Sequence, residues 1–432
     1  MGRRVAVIGG GPSGAITAIA LKRHGFEPTL YDKVDPFEEV KQAVQKGELV
    51  NIQFGETGGT LGILGNGVKA LKNLGLLDYV KEFQEDPMVM ELNFMYLDGS
   101  DRTCRRTLVE EGVQPMHALR SKLHQILVKA ANAEGIKLYG GKKLKTLTQT
   151  ADDVTVEFED GTQIVADFVV GADGIHSKTR QLIFPDSAKP VLDATGYITI
   201  FDLGTYSDGS VVDFNHPEGI YNDPLNGRFI FTAPFGKNQG EAKIFEMNVK
   251  KPLDQADDWR PVSDLPKEAA QLADTLQSWG TEPAIVNCVR HAKRITPVNL
   301  YDLPDLPSFY KGRVVLVGDA AHGTVPYAAQ GLCQAIEDCG TLADLWGHYQ
   351  DDYKRAFSMY DKIRVPRTRK VVSLARNTGS RLRASNVVQM KFGRFMMKLV
   401  FSLMEWFGVE DEITLHNYRD DIRKVIPDIQ FK

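Results

Sequence analysis

The sequence predicts an α/β protein whose core is interrupted by an antiparallel β-sheet and followed by a helical C-terminal segment. Three observations carry this expectation. A strand-like run opens the chain and passes through a glycine turn into a helix and a second strand. Two later buried-strand patterns, near residues 169 and 313, also end in Gly/Asp turns. Between about 188 and 285, helical periodicity gives way to alternating strands separated by Gly and Asn turns.

The first strand is Val5-Ala6-Val7-Ile8. A helix follows from about Ser13 to His24, with Gly25 placed to end it. The second strand spans about Pro28 to Asp32, which completes a βαβ unit with a right-handed crossover. Helical patterns cover Gly65 to Leu74 and Arg120 to Ala133. Val154 to Phe158 and Gln163 to Phe168 flank the hairpin signal Asp160-Gly161. Strands are expected at Tyr197–Leu203, Val211–Phe214, Arg228–Phe235 and Lys243–Val249, then a helix from Asp264 to Ser278. Arg313–Val317 is a buried strand, Gly331–Gly347 a long helix, and the chain is mainly helical after Ala356. The expected division is 1–187 and 286–370 for the two parts of the core, 188–285 for the inserted sheet and 371–432 for the helical end.

At 432 residues the chain suits two or three lobes, and 43% apolar with 25% charged residues is the balance of a soluble globular protein. A net charge of -4 gives no reason to expect a nucleic-acid partner. Four scattered cysteines show neither zinc nor CxxC spacing, and the nine histidines form no HExxH, so no metal is expected. Scattered thiols, and a strand that leaves no room for a signal peptide, fit a cytoplasmic protein. Lys398 and Glu405 break the apolar stretch Phe392–Val409, so no transmembrane segment is expected. Its stripe of Phe395, Met396, Leu399, Val400, Leu403 and Phe407 reads as a packed helix face in preference to the alternative, a membrane anchor.

Chemistry is expected at three turns. Gly9-Gly10-Gly11-Pro12-Ser13-Gly14 is a GxGxxG between strand and helix. Gly9 allows the tight turn, Gly11 lets the backbone approach a pyrophosphate, and Gly14 lets helix and strand pack closely. Pro12 and Ser13 open the helix, whose N-terminus offers N–H donors and a positive dipole end to phosphates. Asp32, with Lys33 beside it, stands at the end of the second strand, where a ribose hydroxyl is read. The second turn is Gly171-Ala172-Asp173-Gly174. The third is Gly318-Asp319-Ala320-Ala321-His322, followed by Pro326-Tyr327-Ala328-Ala329-Gln330-Gly331. Alone, each Asp reads as a turn residue. The three turns in this order point to a bound dinucleotide.

With these motifs the sequence resembles the group A flavin-dependent aromatic hydroxylases, over about residues 4–370. That family includes p-hydroxybenzoate, salicylate and kynurenine hydroxylases and fungal biosynthetic monooxygenases. The resemblance implies a single Rossmann-like FAD domain, consistent with the single GxGxxG, and non-covalent FAD. It also implies NADPH or NADH as co-substrate, O2, and a flavin C4a-hydroperoxide that hydroxylates or epoxidises the substrate. Carried over by position, Asp32 and Lys33 serve the AMP ribose, and Arg120 lies near the phosphates. Asp173 and Gly174 belong to the motif used by FAD and NAD(P)H. Gly318 and Asp319 hold the ribityl chain or pyrophosphate. Pro326 borders the isoalloxazine ring, and Gly331 and Leu332 point N–H groups at its N1–C2=O edge. Three positions depart from the family pattern: Ala329 where Gly is common, Cys333 where Asn is common, and Gly65 where Pro is usual. The alternatives are a non-hydroxylating flavin oxidoreductase of the same fold, whose halogenase-type Trp-x-Trp-x-Ile-Pro signature is absent, and an inactive FAD-binding scaffold.

In that family the inserted sheet roofs the substrate pocket. Alternation places Phe229, Phe231 and Phe235 on one face of a strand, Phe245, Met247 and Val249 on another, and Tyr197 with Phe201 on a third. Tyr197, Phe201, Phe229, Phe231 and Phe245 are therefore the expected lining. No Arg or Lys is expected on these faces, Arg228 being the nearest. The expected substrate is an electron-rich, mostly apolar aromatic, heteroaromatic or alkene molecule of secondary metabolism, handled by a monomer or homodimer. His322, and the pair His176 and Ser177, read as structural.

Overall fold

The computed structural model describes residues 2–35, 58–81, 91–106, 109–207, 209–216, 218–247, 249–254, 256, 260–407 and 412–431. Trp259 and Val409 and the side chain of Phe407 lie outside the described set.

A six-stranded sheet forms the first half, in the spatial order Tyr310–Lys311, Val314–Leu316, Phe168–Gly171, Arg4–Ile8, Glu27–Tyr31 and Lys137–Tyr139. All neighbours are parallel except the first pair. The apolar runs Val5–Ile8 and Phe168–Val170 read as continuous because both faces of a parallel sheet are covered. The Pro12–Arg23 helix buries every residue from Gly14 to Leu21. The Gly331–Tyr349 helix is buried from Cys333 through Trp346, which marks the centre of the domain. Trp346 is fully buried, with Phe26, Phe168 and Phe357 at ring-centroid distances of 4.6, 4.9 and 4.8 Å.

A seven-stranded sheet forms the second half, in the order Arg294–Asp302, Val191–Asp202, Gln239–Met247, Arg228–Phe235, Gly219–Asp223, Glu91–Tyr96 and Thr103–Arg106. It is antiparallel except where Gly219–Asp223 runs parallel to Glu91–Tyr96. The expected limits of 188 and 285 do not enclose it. Two strands come from before residue 107 and one from after 293, so the core lends the sheet both its edges. One face is covered by the Leu265–Ser278 and Pro283–Arg290 helices, with Phe201, Ile230 and Ile244 packed beneath them. The other face carries Phe229, Phe245, Met247 and Ile198 and packs on Leu382 and Tyr327.

Helices Tyr353–Arg381, Val387–Phe407 and Tyr418–Val425 follow. The expectation that the apolar stripe of Val387–Phe407 is a packed face is overturned. Of that stripe Phe395, Met396, Leu399, Val400 and Leu403 are all exposed, as are Phe392 and Trp406 beside them. The helix touches the sheet edge along its other side, where Phe401 meets Phe94 at 5.2 Å and buried Arg394 donates to Asp101 and to the Phe94 carbonyl. A helix lying on an edge buries only the stripe that touches it, and this one is apolar well beyond that stripe. Among the described residues, no helix is long and apolar enough to cross a membrane.

Candidate functional site

The three glycine turns meet at the C-terminal ends of the parallel strands. Gly9 has φ +106°, and a Cβ there would lie 2.3 Å from the Ala172 carbonyl oxygen. A Cβ on Gly14 would stand 1.9 Å from the carbonyl oxygen of Gly9, so helix and strand touch through backbone. Gly318, at φ +59°, would press a Cβ to 2.7 Å from Ser13 Oγ. Thus the first turn contacts the second through Gly9 and the third through Ser13. Arg180 ties the second to the third by donating to the carbonyls of Ala321 (3.0 Å) and Pro304 (2.7 Å).

Around this junction lie the polar groups expected from the sequence. Asp32 accepts from the Gly10 N–H at 2.5 Å and the Val34 N–H at 2.8 Å, which fixes its carboxylate beside the glycine turn; Lys33 is exposed. Arg120 opens the Arg120–Ala133 helix and faces Asp319; burial lowers its pKa and the Asp319 charge opposes that. Asp319 keeps contact with solvent, and the protein packed around it raises its carboxyl pKa against the pull of His322 and Arg120. Asp173 is engaged locally, accepting from Ser177 Oγ (2.5 Å) and from the Thr179 N–H (2.9 Å) and Oγ1 (3.0 Å), with Gly174 at φ +77° beside it. It shapes the second turn.

A dinucleotide fits this cradle. Positions Gly11, Gly62, Gly174 and Gly331 face open space where a Cβ would fall. The Gly331–Tyr349 helix aims the first-turn N–H groups of Gly331, Leu332 and Cys333 outward, with the positive end of its dipole. Pro326 begins a short 3-10 turn, Pro326–Ala328, just before it.

The departures from the family pattern sit in distinct local settings. Ala329 holds φ +50°, the left-handed region that favours glycine. Gly65 meets Thr414, whose carbonyl oxygen would be 2.6 Å from a Cβ. Cys333 is buried, with its sulfur accepting from the Leu64 N–H at 3.3 Å and pressed on Gly67.

Beneath this helix lies a fully buried ionic cluster. Arg364 bonds both Glu337 and Asp338, the latter at 2.7 Å, and Arg367 bonds Glu337 at 3.0 Å. Burial alone would raise the Glu337 pKa, but the two arginines hold it down at about 2. Asp338 also accepts from the Gly318 N–H (2.8 Å) and pairs with His322 (2.5 Å), so His322 is structural as expected. Asn66 bridges Gln330 (2.9 Å) and Glu337 (2.7 Å).

The inner face of the large sheet gathers Phe229, Phe231 and Phe245. Phe229 stacks on Phe245 at 6.1 Å and meets Tyr327 edge-on at 6.1 Å. Tyr197 and Phe201 do not join them, which corrects the expected lining. Tyr197 pairs with Ile244 and Phe201 with Gly240, so both point to the opposite face, and Phe201 is fully buried there beneath the covering helices. The strand patterns gave correct alternation within each strand but not which parity of one strand matches that of its neighbour. The expectation of no cation on the inner face is also corrected. Lys243 is in register with Phe231 and lies 5.2 Å from its ring centroid. Its ammonium is matched by buried Glu241 (2.8 Å) and by the Thr60 carbonyl (2.8 Å). Glu241 also accepts from the Thr60 N–H at 2.8 Å, and the neighbouring Gly59 carbonyl accepts from the Arg120 N–H at 3.0 Å. Residues 58–60 therefore join the cofactor cradle to the sheet face.

Sequence reading missed Lys243, Glu241 and Thr60, although Lys243 shares strand parity with Phe245 and was legible on that ground. It also missed His124, one turn beyond Arg120, whose Nε2 lies 2.8 Å from the Gly10 carbonyl. Among the described residues no group of His, Cys, Asp or Glu is placed to hold a metal.

The comparisons with known proteins agree with this arrangement. A family model described as FAD binding domain matches residues 3–274 and 305–375. The chain is 28% identical over 382 residues to 3-amino-4-hydroxybenzoate 2-monooxygenase PtmB3 of Streptomyces platensis, covering 87% of each protein. It is 29% identical over 410 residues to a salicylate hydroxylase of Pseudomonas putida, covering 88% of this chain and 86% of that one. Among solved structures, FqzB aligns with a TM-score of 0.75 at 19% identity, covering 99% of this chain and 94% of that one. Klebsiella pneumoniae HpxO complexed with FAD and uric acid aligns with a TM-score of 0.72 at 19% identity, covering 99% and 96%. These structures share the fold. The match to the family model over most of the chain, with relatives that are flavin hydroxylases along nearly their whole length, means that this protein belongs to the group A FAD-dependent monooxygenases.

Proposed function

We propose that this protein uses NAD(P)H and O2 to hydroxylate an electron-rich, mostly apolar aromatic ring held between the sheet face and the N-terminus of the Gly331–Tyr349 helix. The observation that carries the reading is the inner face itself: Phe229, Phe231 and Phe245, with two cations that are already engaged, Lys243 by Glu241 and Arg294, in register with Ile200, by the Gly58 carbonyl. Such a face suits a pocket with few polar anchors. The relatives, named for aminohydroxybenzoate and salicylate, are consistent with an aromatic substrate.

In this reading Gly9, Gly11, Pro12, Ser13 and Gly14 pass the pyrophosphate along the first helix, and Asp32 and Lys33 serve the adenosine ribose. Arg120, Gly318 and Asp319 flank the phosphates and ribityl chain, and Asp173 with Gly174 shapes the adjoining turn. Pro326, Gly331 and Leu332 border the ring. Bound FAD supplies the redox chemistry, taking hydride from NAD(P)H and activating O2. The chain's part is to present the positive helix end where negative charge gathers, to keep water from the apolar face and to orient the substrate. Three buried free thiols, Cys288, Cys333 and Cys339, with Cys104 partly buried, fit a reducing cytoplasm.

The test supplies NADPH, candidate aromatic substrates and isotope-labelled O2. Substrate should accelerate NADPH oxidation, and the product should gain one labelled oxygen atom. Oxidation without incorporation for any substrate that is turned over would favour a non-hydroxylating flavin oxidoreductase.

A further inference from the structure

We propose that the exposed face of the Val387–Phe407 helix docks this protein onto an anionic lipid surface. The face is unusual for the molecule. Val388 is 78% exposed, Phe392 63%, Phe395 61% and Trp406 84%, with Leu399 and Leu403 above 40%. The spacing of Val388, Phe392, Phe395, Leu399, Leu403 and Trp406 places them along one side of the helix. At the exposures given and side-chain areas of 150–250 Å2 for the aromatics, the patch is on the order of 800 Å2, beyond the few hundred Å2 of contiguous apolar surface ordinary in a monomer.

The helix cannot simply roll this face inward. Its other side is fixed by Arg394, which donates to Asp101 Oδ2 at 2.9 Å and to the Phe94 carbonyl at 2.7 Å, by Lys398, also on Asp101, and by Phe401 against Phe94.

Charge decides the occupant. In a chain of net charge -4, the 21 residues of this helix hold Lys391, Arg394 and Lys398 against one acid, Glu405. The adjoining strand, Thr103–Arg106, adds Arg105, over the Phe401 ring, and Arg106. Asp101 pairs with Arg394 and Lys398 and Glu91 with Arg106, so these five cations stand against three acids and the surface keeps a positive balance. Lys391 is exposed and Lys398 partly so. A second copy laid on the same face would bring these cations together. An anionic bilayer would meet them with opposite charge while the Phe, Leu and Trp side chains enter the headgroup boundary, the arrangement of a helix that lies in the interface without spanning it. Trp406, large and amphipathic, ends the stripe.

The test is sedimentation of the full-length flavin-bound protein with vesicles of phosphatidylcholine plus phosphatidylserine, and with phosphatidylcholine alone, at low and high salt. Light scattering reports the protein's mass without lipid. The wild type should sediment with the mixed vesicles, less so at high salt, and have the mass of one chain. Phe395→Asp with Leu399→Asp should lower the partition coefficient roughly tenfold or more, with flavin content unchanged. Lys391→Glu should weaken binding to the mixed vesicles alone. As a second readout, wild-type tryptophan emission should shift to the blue on adding mixed vesicles and that of Trp406→Phe should not. Wild type left in the supernatant with both vesicle types, or a two-chain mass that the double variant reduces to one, would overturn the proposal; the second result would assign the face to another copy of the chain.

Discussion

The two sheets put their chemistry in different places. In the parallel sheet both faces are covered, in part by the antiparallel strand Val154–Phe158, whose Phe158 stacks on Tyr31, so the faces serve packing. Function is left to the strand ends, where Gly9, Ala172 and Gly318 crowd together. In the larger sheet the ends are ordinary and the two faces diverge. One is sealed beneath the Leu265–Ser278 and Pro283–Arg290 helices, while the other turns Phe229, Phe231 and Phe245 toward the cofactor cradle. A substitution in the first sheet should therefore act on the flavin. In the second sheet its effect should depend on strand parity.

The largest effect should come from Gly14→Val. Any side chain there strikes the Gly9 carbonyl, so helix and strand must separate and the phosphate path is lost. The variant should purify without visible flavin absorbance or not fold. A yellow, active variant would break the view that strand ends carry the cofactor.

Next is Arg364→Met, which leaves Glu337 and Asp338 buried without their guanidinium. Removing one partner of such a pair costs about 3–5 kcal/mol, read as a fall in unfolding midpoint. The same cluster sets a pH dependence. Glu337 is held at about 2 against an ordinary 4.5, so its stabilisation is complete above pH 4.5 and is lost as pH falls toward 2. Wild-type thermal stability should drop across that window, and the variant should drop less.

Parity is tested by a matched pair. Phe201→Ala, on the sealed face, should lose about 3–5 kcal/mol of stability while kcat/KM per folded molecule is kept. Phe231→Ala, half-buried on the inner face, should keep most of the stability and raise KM or peroxide leakage roughly tenfold. Equal kinetic effects from the two would remove the distinction between the faces.

The smallest expected effect is that of Tyr327→Phe. It deletes the 2.6 Å bond to Asp193, which Arg383 continues to hold at 2.8 Å, and should lower stability by about 1 kcal/mol in a denaturant titration.

The same contrast explains what could be read in advance. The parallel core was legible because each of its signals is local. The run Val5–Ile8, the glycines at 9, 11 and 14, and the helices beginning at Arg120 and Gly331 all sit within a few residues of the feature they specify. The larger sheet depends on pairings between distant segments. Strand positions such as Arg228–Phe235 were recoverable, but not that Tyr197 faces away from Phe245, nor that residues 91–106 supply an edge. The ionic cluster was hidden for the same reason, since 26 residues separate Arg364 from Asp338. The outer helix misled differently: its periodicity was read correctly, but periodicity names a face without saying what covers it.

The shared edges of the large sheet bear on how this enzyme can be altered. Because Glu91–Tyr96 and Arg294–Asp302 sit at opposite sides of the sheet and belong to chain segments that also run through the core, residues 188–285 are not a transferable cassette. A chimera that exchanged only that stretch with a relative would ask foreign strands to find their register against two resident ones. Specificity in this architecture is more readily changed by single side chains on the inner face than by grafting, and a graft has its best prospects when all three resident strands, Glu91–Tyr96, Thr103–Arg106 and Arg294–Asp302, travel with it.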